Sequence, residues 1–295
     1  MTDPTPTPPD RPAEPAEERS SALRSFLGLF VVPLLVVALC VGVFVGFGWI
    51  AYDRQTTGDY IDDLQAWWKP RRVQAAYELS KILVADPQAL DKEPGAKAEI
   101  RRLFQEVEDP QLRHYLALVL GRTRDPLAVP LLTAALDDPD DTTRIYALWA
   151  LGTLGDRSAL DAVEGALADP DPGLRKTAAF ALGEIGDPAA VPPLSESLDD
   201  AVADVRFNAA LSLARLGSDA GVPVLETMLD RRLLARLPDI TREQQEDVMV
   251  NAVAAVAAVG RAEHLATLDR LAEEDPSLRV RQAAIAAGKA LRAGA

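Results

Sequence analysis

Residues 171–194 read DPGLRKTAAFALGEIGDPAAVPPL, and three other stretches repeat the pattern at a spacing of 31 residues without a gap. They begin at Asp109 (DPQLRHYLALVLGRTRDPLAVPLL), Asp140 (DDTTRIYALWALGTLGDRSALDAV) and Val202 (VADVRFNAALSLARLGSDAGVPVL). Arg113, Arg144, Arg175 and Arg206 fall in register, as do Leu120, Leu151, Leu182 and Leu213, and then Gly121, Gly152 and Gly183 with Ala214 in the fourth place. A turn follows each, carrying Gly155, Gly186 and Gly217, then Asp156 and Asp187, with Asp219 one place later. Self-similarity at a period of a few tens of residues is the signature of a solenoid.

Each unit reads as helix, short turn, helix. The first helix follows an acidic N-cap and places Ala178, Ala181, Leu182 and Ile185 at helical spacing. Glycine accepts the left-handed turn that ends it, and Asp-Pro prevents its continuation. The second helix opens at Ala190-Val191-Pro192 and buries Val191, Leu194 and Leu198, spaced i, i+3 and i+7. One such pair cannot bury both of its faces, so neighbours must stack to make a continuous core.

The unit at Asp171 resembles the HEAT-like repeat typified by phycobilin lyases, Asp-x-x-x-Arg-x-x-Ala-Ala-x-Ala-Leu-Gly-x-Ile-Gly-Asp-x-x-Ala-Val-x-x-Leu. The resemblance extends more loosely over 71–291. An N-terminal unit starts at Arg72 with its second helix near 100–107, a degenerate fifth unit has Met249 at the arginine position and Gly260 at the glycine, and 279–291 is a final half-unit. The resemblance implies that the arginine column forms a structural ladder: Arg113, Arg144, Arg175 and Arg206 pair with turn aspartates such as Asp156 and Asp187. It also implies that the second helices line the concave side, where Glu164, Glu196 and Glu226, with Asp161 nearby, would make an acidic groove. The motif specifies a fold and leaves function open.

Two places break the period. The N-terminal unit carries ten extra residues around 86–95, and about twelve are inserted within 230–244. The second insertion contains Arg231-Arg232-Leu233-Leu234-Ala235-Arg236-Leu237, a basic and apolar run in an acidic domain, and it ends on Thr241 and Gln244, a capping-box pair. Insertions in solenoids map to loops and to binding faces. Arg231, Arg232, Leu233, Leu234, Arg236 and Leu237 are therefore candidate partner-binding residues, against the alternative that the leucines only patch the solenoid wall.

Upstream of the repeats, 26–52 reads FLGLFVVPLLVVALCVGVFVGFGWIAY, 27 residues without a charge. About 20 helical residues cross a hydrocarbon core, so this run is expected to span a membrane. Trp49 and Tyr52 stand where an interfacial aromatic belt belongs. Neither a cleavable signal nor a lipoprotein signal fits, because the apolar core is too long and Cys40 is preceded by Leu39. Gly42 and Gly46 form a GxxxG spacing that supports helix pairing in a homodimer. Arg11, Arg19 and Arg24 outweigh Arg54 near the span, which places the N-terminus in the cytoplasm and the repeats outside. A 20-residue window, taking in Lys69, Arg71 and Arg72, removes that difference. Residues 1–25, rich in proline and acids, lack apolar surface to bury and are expected to be disordered.

Composition narrows the function. The chain of 295 residues has a net charge of −14, of which −12 falls after residue 52, and a phosphate-binding face would need the opposite sign. Nucleic acid is therefore not an expected partner. Arginine outnumbers lysine 25 to 6, a bias of GC-rich bacterial genomes. The single cysteine, Cys40, lies inside the apolar run, so no disulfide framework or cysteine metal site is available. Deoxyhypusine hydroxylase, a related HEAT-like enzyme, holds iron with His-Glu pairs. Here the two histidines, His114 and His264, are each followed by another residue type. No phosphate loop or nucleophile elbow is present, so no catalytic residue, metal or cofactor is expected. Trp67-Trp68-Lys69-Pro70-Arg71-Arg72 suits either a membrane surface or a cap on the solenoid end.

The expected architecture is all-α: a solenoid of HEAT-like repeats plus one N-terminal transmembrane helix. Its segments are a disordered tail (1–25), the span (26–52), a juxtamembrane linker (53–70) and the solenoid (71–295). The expected function is a non-catalytic, membrane-anchored scaffold for an unidentified protein partner, in a bacterial inner membrane with the repeats on the periplasmic side. The alternative is a lyase-type HEAT-repeat enzyme or an accessory subunit of a membrane enzyme complex.

Overall fold

The computed structural model describes residues 31–51, 56–238 and 240–294. The proline-rich tail, both ends of the expected span and the arginines that argued its orientation lie outside the described residues. The chain divides into two units, 1–55 and 56–295.

In the first unit, α1 spans Val32–Ala51, twenty residues without a charge. All described side chains from 33 to 44 are exposed, Leu39 at 68% and Phe44 at 81%. Among the described residues no helix is long and apolar enough to cross a membrane. Gly42 and Gly46 lie on α1 one turn apart, and a Cβ on Gly42 would meet nothing within 4 Å.

The second unit is helical throughout, with no strand among the described residues. It opens with α2 (Thr57–Leu64), capped by reciprocal bonds between Thr56 and Asp59, and Leu64 is fully buried. Much of the stretch 53–70 expected to be a linker is thus part of the folded body. Long and short helices then alternate: α3 (Lys69–Ala85) with α4 (Ala96–Glu106), α5 (Pro110–Arg122) with α6 (Val129–Ala134), α7 (Asp141–Leu154) with α8 (Leu160–Gly165), and α9 (Pro172–Ile185) with α10 (Val191–Glu196). The series continues through α11 (Ala203–Arg215) with α12 (Val222–Met228), then a one-turn α13 (Arg231–Leu234), α14 (Arg242–Val259) with α15 (Leu265–Glu274), and the closing α16 (Leu278–Gly294).

The local chemistry is that of the repeat. Asp109, Asp140 and Asp171 accept from the backbone N–H three residues on and so cap α5, α7 and α9. Asp156 and Asp187 cap the 3-10 turns that open the second helices, taking the N–H groups of Ser158 and Ala189. Gly155 and Gly186 end α7 and α9 at φ +66° and +74°, where a side chain would be strained.

Successive long helices lie side by side along the solenoid, and glycine sets their separation. A Cβ on Gly121 would stand 2.7 Å from Ala150 Cα, and one on Gly152 2.8 Å from Ala181 Cα. At Gly183 the facing residue is Ser212, whose hydroxyl donates to the Ala179 carbonyl at 2.8 Å. The short helices pack against the long helix that follows them, α6 on α7, α8 on α9 and α10 on α11, so the solenoid has a row of long helices and a row of short ones.

The arginine ladder exists with different carboxylates. Arg113 reaches Asp138 (3.3 Å), Arg144 reaches Asp169 (2.7 Å), and Arg175 holds both oxygens of Asp200 (2.7 and 3.1 Å). Each partner lies 25 residues on, in the turn that enters the next long helix. Arg113, Arg175 and Arg206 also donate to carbonyls six residues back, at Val107, Asp169 and Asp200. Asp156 and Asp187 are occupied as caps, although Asp187 also meets Arg157 at 3.3 Å. They are not rungs of the ladder, because their turns lie at the far ends of the long helices from the arginine heads.

Candidate functional site

The insertion at 230–244 is mostly packing. Asp230 caps α13, and Leu234 is 1% exposed within the C-terminal core, with Leu237 packed against it. Arg231 donates to both oxygens of Asp275 (2.8 and 3.3 Å), a carboxylate whose side chain is 4% exposed. Asp275 stands six residues before Arg281, which donates to its carbonyl at 2.7 Å, so it is the ladder carboxylate of the last unit. Its own column arginine is missing, since Met249 occupies that place. Arg231, Met249 and Asp275 line one cavity. The insertion thus delivers from α13 the guanidinium that α14 lacks. Of the candidate binding residues there, Arg231, Leu234 and Leu237 are corrected to structural roles, for burial and ion pairing consume them. Arg232, Leu233 and Arg236 remain exposed.

Glu164 and Glu196 do come together. With Asp161, Pro193, Asp199 and Asp200 they line a groove of about 610 Å³ between the short helices α8 and α10. Glu226 is exposed on α12 and takes no part in it. Asp200 is committed to Arg175, whose hydrogen bond holds its carboxyl below the usual value against the opposing effect of burial.

Trp67 is 95% exposed and Trp68, at the N-cap of α3, 56%. They therefore do not cover the solenoid end. That place is held by α2, which Arg71 ties down through Asp63 at 2.7 Å.

A surface that the motif columns did not single out lies on the row of long helices. The solvent-facing positions of the long helices form two lanes at the 31-residue period: Tyr115, Tyr146, Thr177 and Asn208, then Leu118, Trp149, Phe180 and Leu211. Tyr77 extends the rings onto α3, edge-on to Tyr115 with centroids 5.5 Å apart. His114 stacks on Tyr146 at 5.0 Å, and its Nε2 lies 2.7 Å from Asp140 Oδ2. Cations lie over the rings: Lys81 over Tyr77 at 5.1 Å, Arg122 over Trp149 at 4.5 Å and Arg215 over Phe180 at 5.9 Å. Between α5, α7, α9 and α11 the surface dips into an apolar cavity of about 340 Å³ lined by Leu118, Tyr146, Trp149, Lys176, Phe180 and Asn208.

Arg122 differs from its neighbours. Arg215 has Glu184 at 3.1 Å and Lys176 has Asp204 at 3.6 Å, whereas among the described residues no carboxylate comes within ion-pair distance of Arg122. Its guanidinium donates only a long bond, 3.4 Å, to the Leu118 carbonyl, and burial lowers its pKa from the ordinary arginine value. The array brings together rings, a cleft and a partly buried guanidinium. Among the described residues no group of three or more His, Cys, Asp or Glu side chains is placed to hold a metal.

Comparison with known proteins agrees with the fold. Residues 100–174 and 162–237 match the family model of HEAT repeats. No curated protein matches the chain by sequence. Among solved structures, the chain is similar to the complex of CpcE and CpcF of phycocyanin lyase from Nostoc sp. PCC7120, at 22% identity over 81% of this chain and 95% of that one, with a TM-score of 0.55. A designed armadillo repeat protein in complex with the peptide (KR)4 matches at 20% identity over 70% of this chain and 100% of that one (TM-score 0.48). Human deoxyhypusine hydroxylase matches at 22% identity over 80% and 96% (TM-score 0.34). The protein is an all-helical solenoid of HEAT-like repeats.

Proposed function

We propose that this protein is a membrane-anchored scaffold whose repeats hold a protein partner along the exposed face of their long helices. The observation that carries the proposal is the ring-and-cation lane from Tyr77 to Phe180, partly exposed apolar surface that recurs from repeat to repeat. Aromatic side chains beside arginine are the groups that dominate protein interfaces when a partner covers them. The acidic groove at Glu164 and Glu196 and the exposed Arg232, Leu233 and Arg236 are the rival surfaces against which this lane is tested.

The anchor rests on the uncharged run 26–52 and on the unbroken exposure of apolar side chains along 33–44, which water does not stabilise and lipid does. Exposed Trp67 and Trp68 suit the bilayer interface. The arginines nearest the span favour the repeats outside the cytoplasm, and the Gly42/Gly46 face supports pairing of two anchors. Reporter fusions at the C-terminus test orientation: exported activity is expected, and cytoplasmic activity refutes it. Carbonate extraction tests the anchor. The full chain is expected in the pellet and a chain beginning at Thr56 in the supernatant.

The docking face is tested by copurification of the full chain from membranes. Trp149→Ala is expected to lose partners that Glu164→Gln retains, with both variants keeping the wild-type melting temperature. Equal recovery by Trp149→Ala refutes the aromatic lane as the docking surface. The lyase-type reading draws support from likeness of fold alone, and a turnover assay with a tetrapyrrole and an acceptor protein is the direct check on it.

A further inference from the structure

We infer that the aromatic lane on the long helices takes an extended, proline-rich and acidic segment of its partner, seated with prolyl rings in the Trp149–Phe180 cleft and a carboxylate on Arg122. This deepens the proposed docking role and rests on it. Spacing along the lane favours such a segment. Packed helices stand about 8–10 Å apart, and the glycine contacts at Gly121 and Gly152 hold the long helices at close range. A polyproline II segment advances about 9 Å per three-residue turn, so each turn advances by about one repeat. Trp149 and Phe180 occupy the same position of successive repeats and so present rings at that interval. Such a segment carries its conformation before binding, which lowers the ordering cost of lying along a lane.

Charge favours it independently. The chain is at −14, yet Arg122 faces the lane over Trp149 without a carboxylate among the described residues, and burial already disfavours its charged form. A partner carboxylate gives that guanidinium the charge-assisted hydrogen bonds it lacks. A basic segment would meet the uncompensated Arg122 guanidinium and be repelled there, Lys176 and Arg215 being paired with Asp204 and Glu184. Asn208 and Lys176 at the cleft margin face the carbonyl groups that a polyproline II backbone leaves unpaired.

The test uses the full chain in nanodiscs and three fluorescent twelve-residue probes, (Pro-Pro-Glu)4, (Pro-Pro-Lys)4 and (Gly-Ser-Glu)4, read by anisotropy. The first is expected to bind saturably and at least about tenfold more tightly than the other two. Arg122→Gln is expected to weaken it by about tenfold, Trp149→Ala similarly, and Trp149→Phe to restore most of the loss. Glu164→Gln in the acidic groove should leave it unchanged. Circular dichroism melts confirm that each variant is folded, and Trp149→Phe keeps the question open to an answer if Trp149→Ala is not. Equal binding of the lysine or glycine-serine probe, no binding of the glutamate probe, or an unaffected Arg122→Gln overturns the inference. If the glutamate probe fails while Trp149→Ala still sheds a membrane partner, the ligand class falls and the docking face stands.

Discussion

Between α5 and α11 the solenoid repeats itself with little variation, and between α11 and α16 the same architecture is reached by other means. In the first region each long helix meets the next through a glycine, and each arginine ties its own entry turn to a carboxylate 25 residues on. At α11 both devices stop. Ala214 stands in the glycine column, and the residue 25 places beyond Arg206 is Arg231. The buried core divides at the same helix: Ala209 and Leu213 belong to the N-terminal cluster, Phe207, Ala210 and Ala214 to the C-terminal one. What restores continuity is the insertion, with Leu234 in the second core and Arg231 on Asp275. A repeat protein can therefore lose a ladder residue without losing the rung, provided that a nearby segment supplies the same group at the same point in space.

The largest effect should come from that repair. Arg231→Met leaves Asp275 buried without a cation, at a cost of about 3–5 kcal/mol. Replacing 230–240 by a short turn should cost at least as much, with the C-terminal helices melting first. Urea denaturation followed by helicity checks both, and an unchanged midpoint for Arg231→Met would mean that the Asp275 contact has no role in joining the regions. Next in size is the regular array. Gly152→Val forces side-chain atoms onto Ala181 and should cost about 3 kcal/mol, measured in the same way. The corresponding Ala214→Gly should cost only about 1 kcal/mol, the helix-propensity difference, because no close helix contact depends on that site. Similar losses at the two positions would erase the distinction.

A smaller, pH-dependent difference separates the rungs. Asp200 is held below its unfolded value by Arg175, so its contribution is complete above about pH 5 and is lost as pH falls toward and through the lowered folded value. The melting-temperature gap between the wild type and Arg175→Met should be full at pH 6 and should close as pH drops below about 4. A gap that is constant from pH 6 to pH 3 would show that the pair acts through packing alone.

Much of the fold could be read from the sequence because structural positions repeat. Arginine, leucine and glycine recur at 31 residues since each unit must make the same contacts with the next, and the caps at Asp109, Asp140, Asp171 and Thr241 follow from local chemistry. Two things were not legible. Which aspartate pairs with an arginine depends on the path between units, and several aspartates per repeat compete for the role. The lane was present only as columns that change from unit to unit, Tyr115 to Tyr146 to Thr177 to Asn208, and reading them as a surface required knowing that they stay partly exposed along adjacent long helices. The leucines of the insertion misled for the opposite reason, since a basic and apolar run reads as exposed until a missing ladder arginine gives it a place inside.

Above all, the lane on the long helices and not the groove between the short ones should meet the partner. A photo-crosslinking amino acid at Thr177 in the lane, at Ser197 in the acidic groove and at Leu233 on the insertion, each in the full chain in its own membrane, separates the three surfaces. A discrete adduct is expected from Thr177, lost on adding Trp149→Ala, and none of comparable yield from Ser197 or Leu233. Adducts that form from Ser197 or Leu233 and not from Thr177 would contradict docking on the lane.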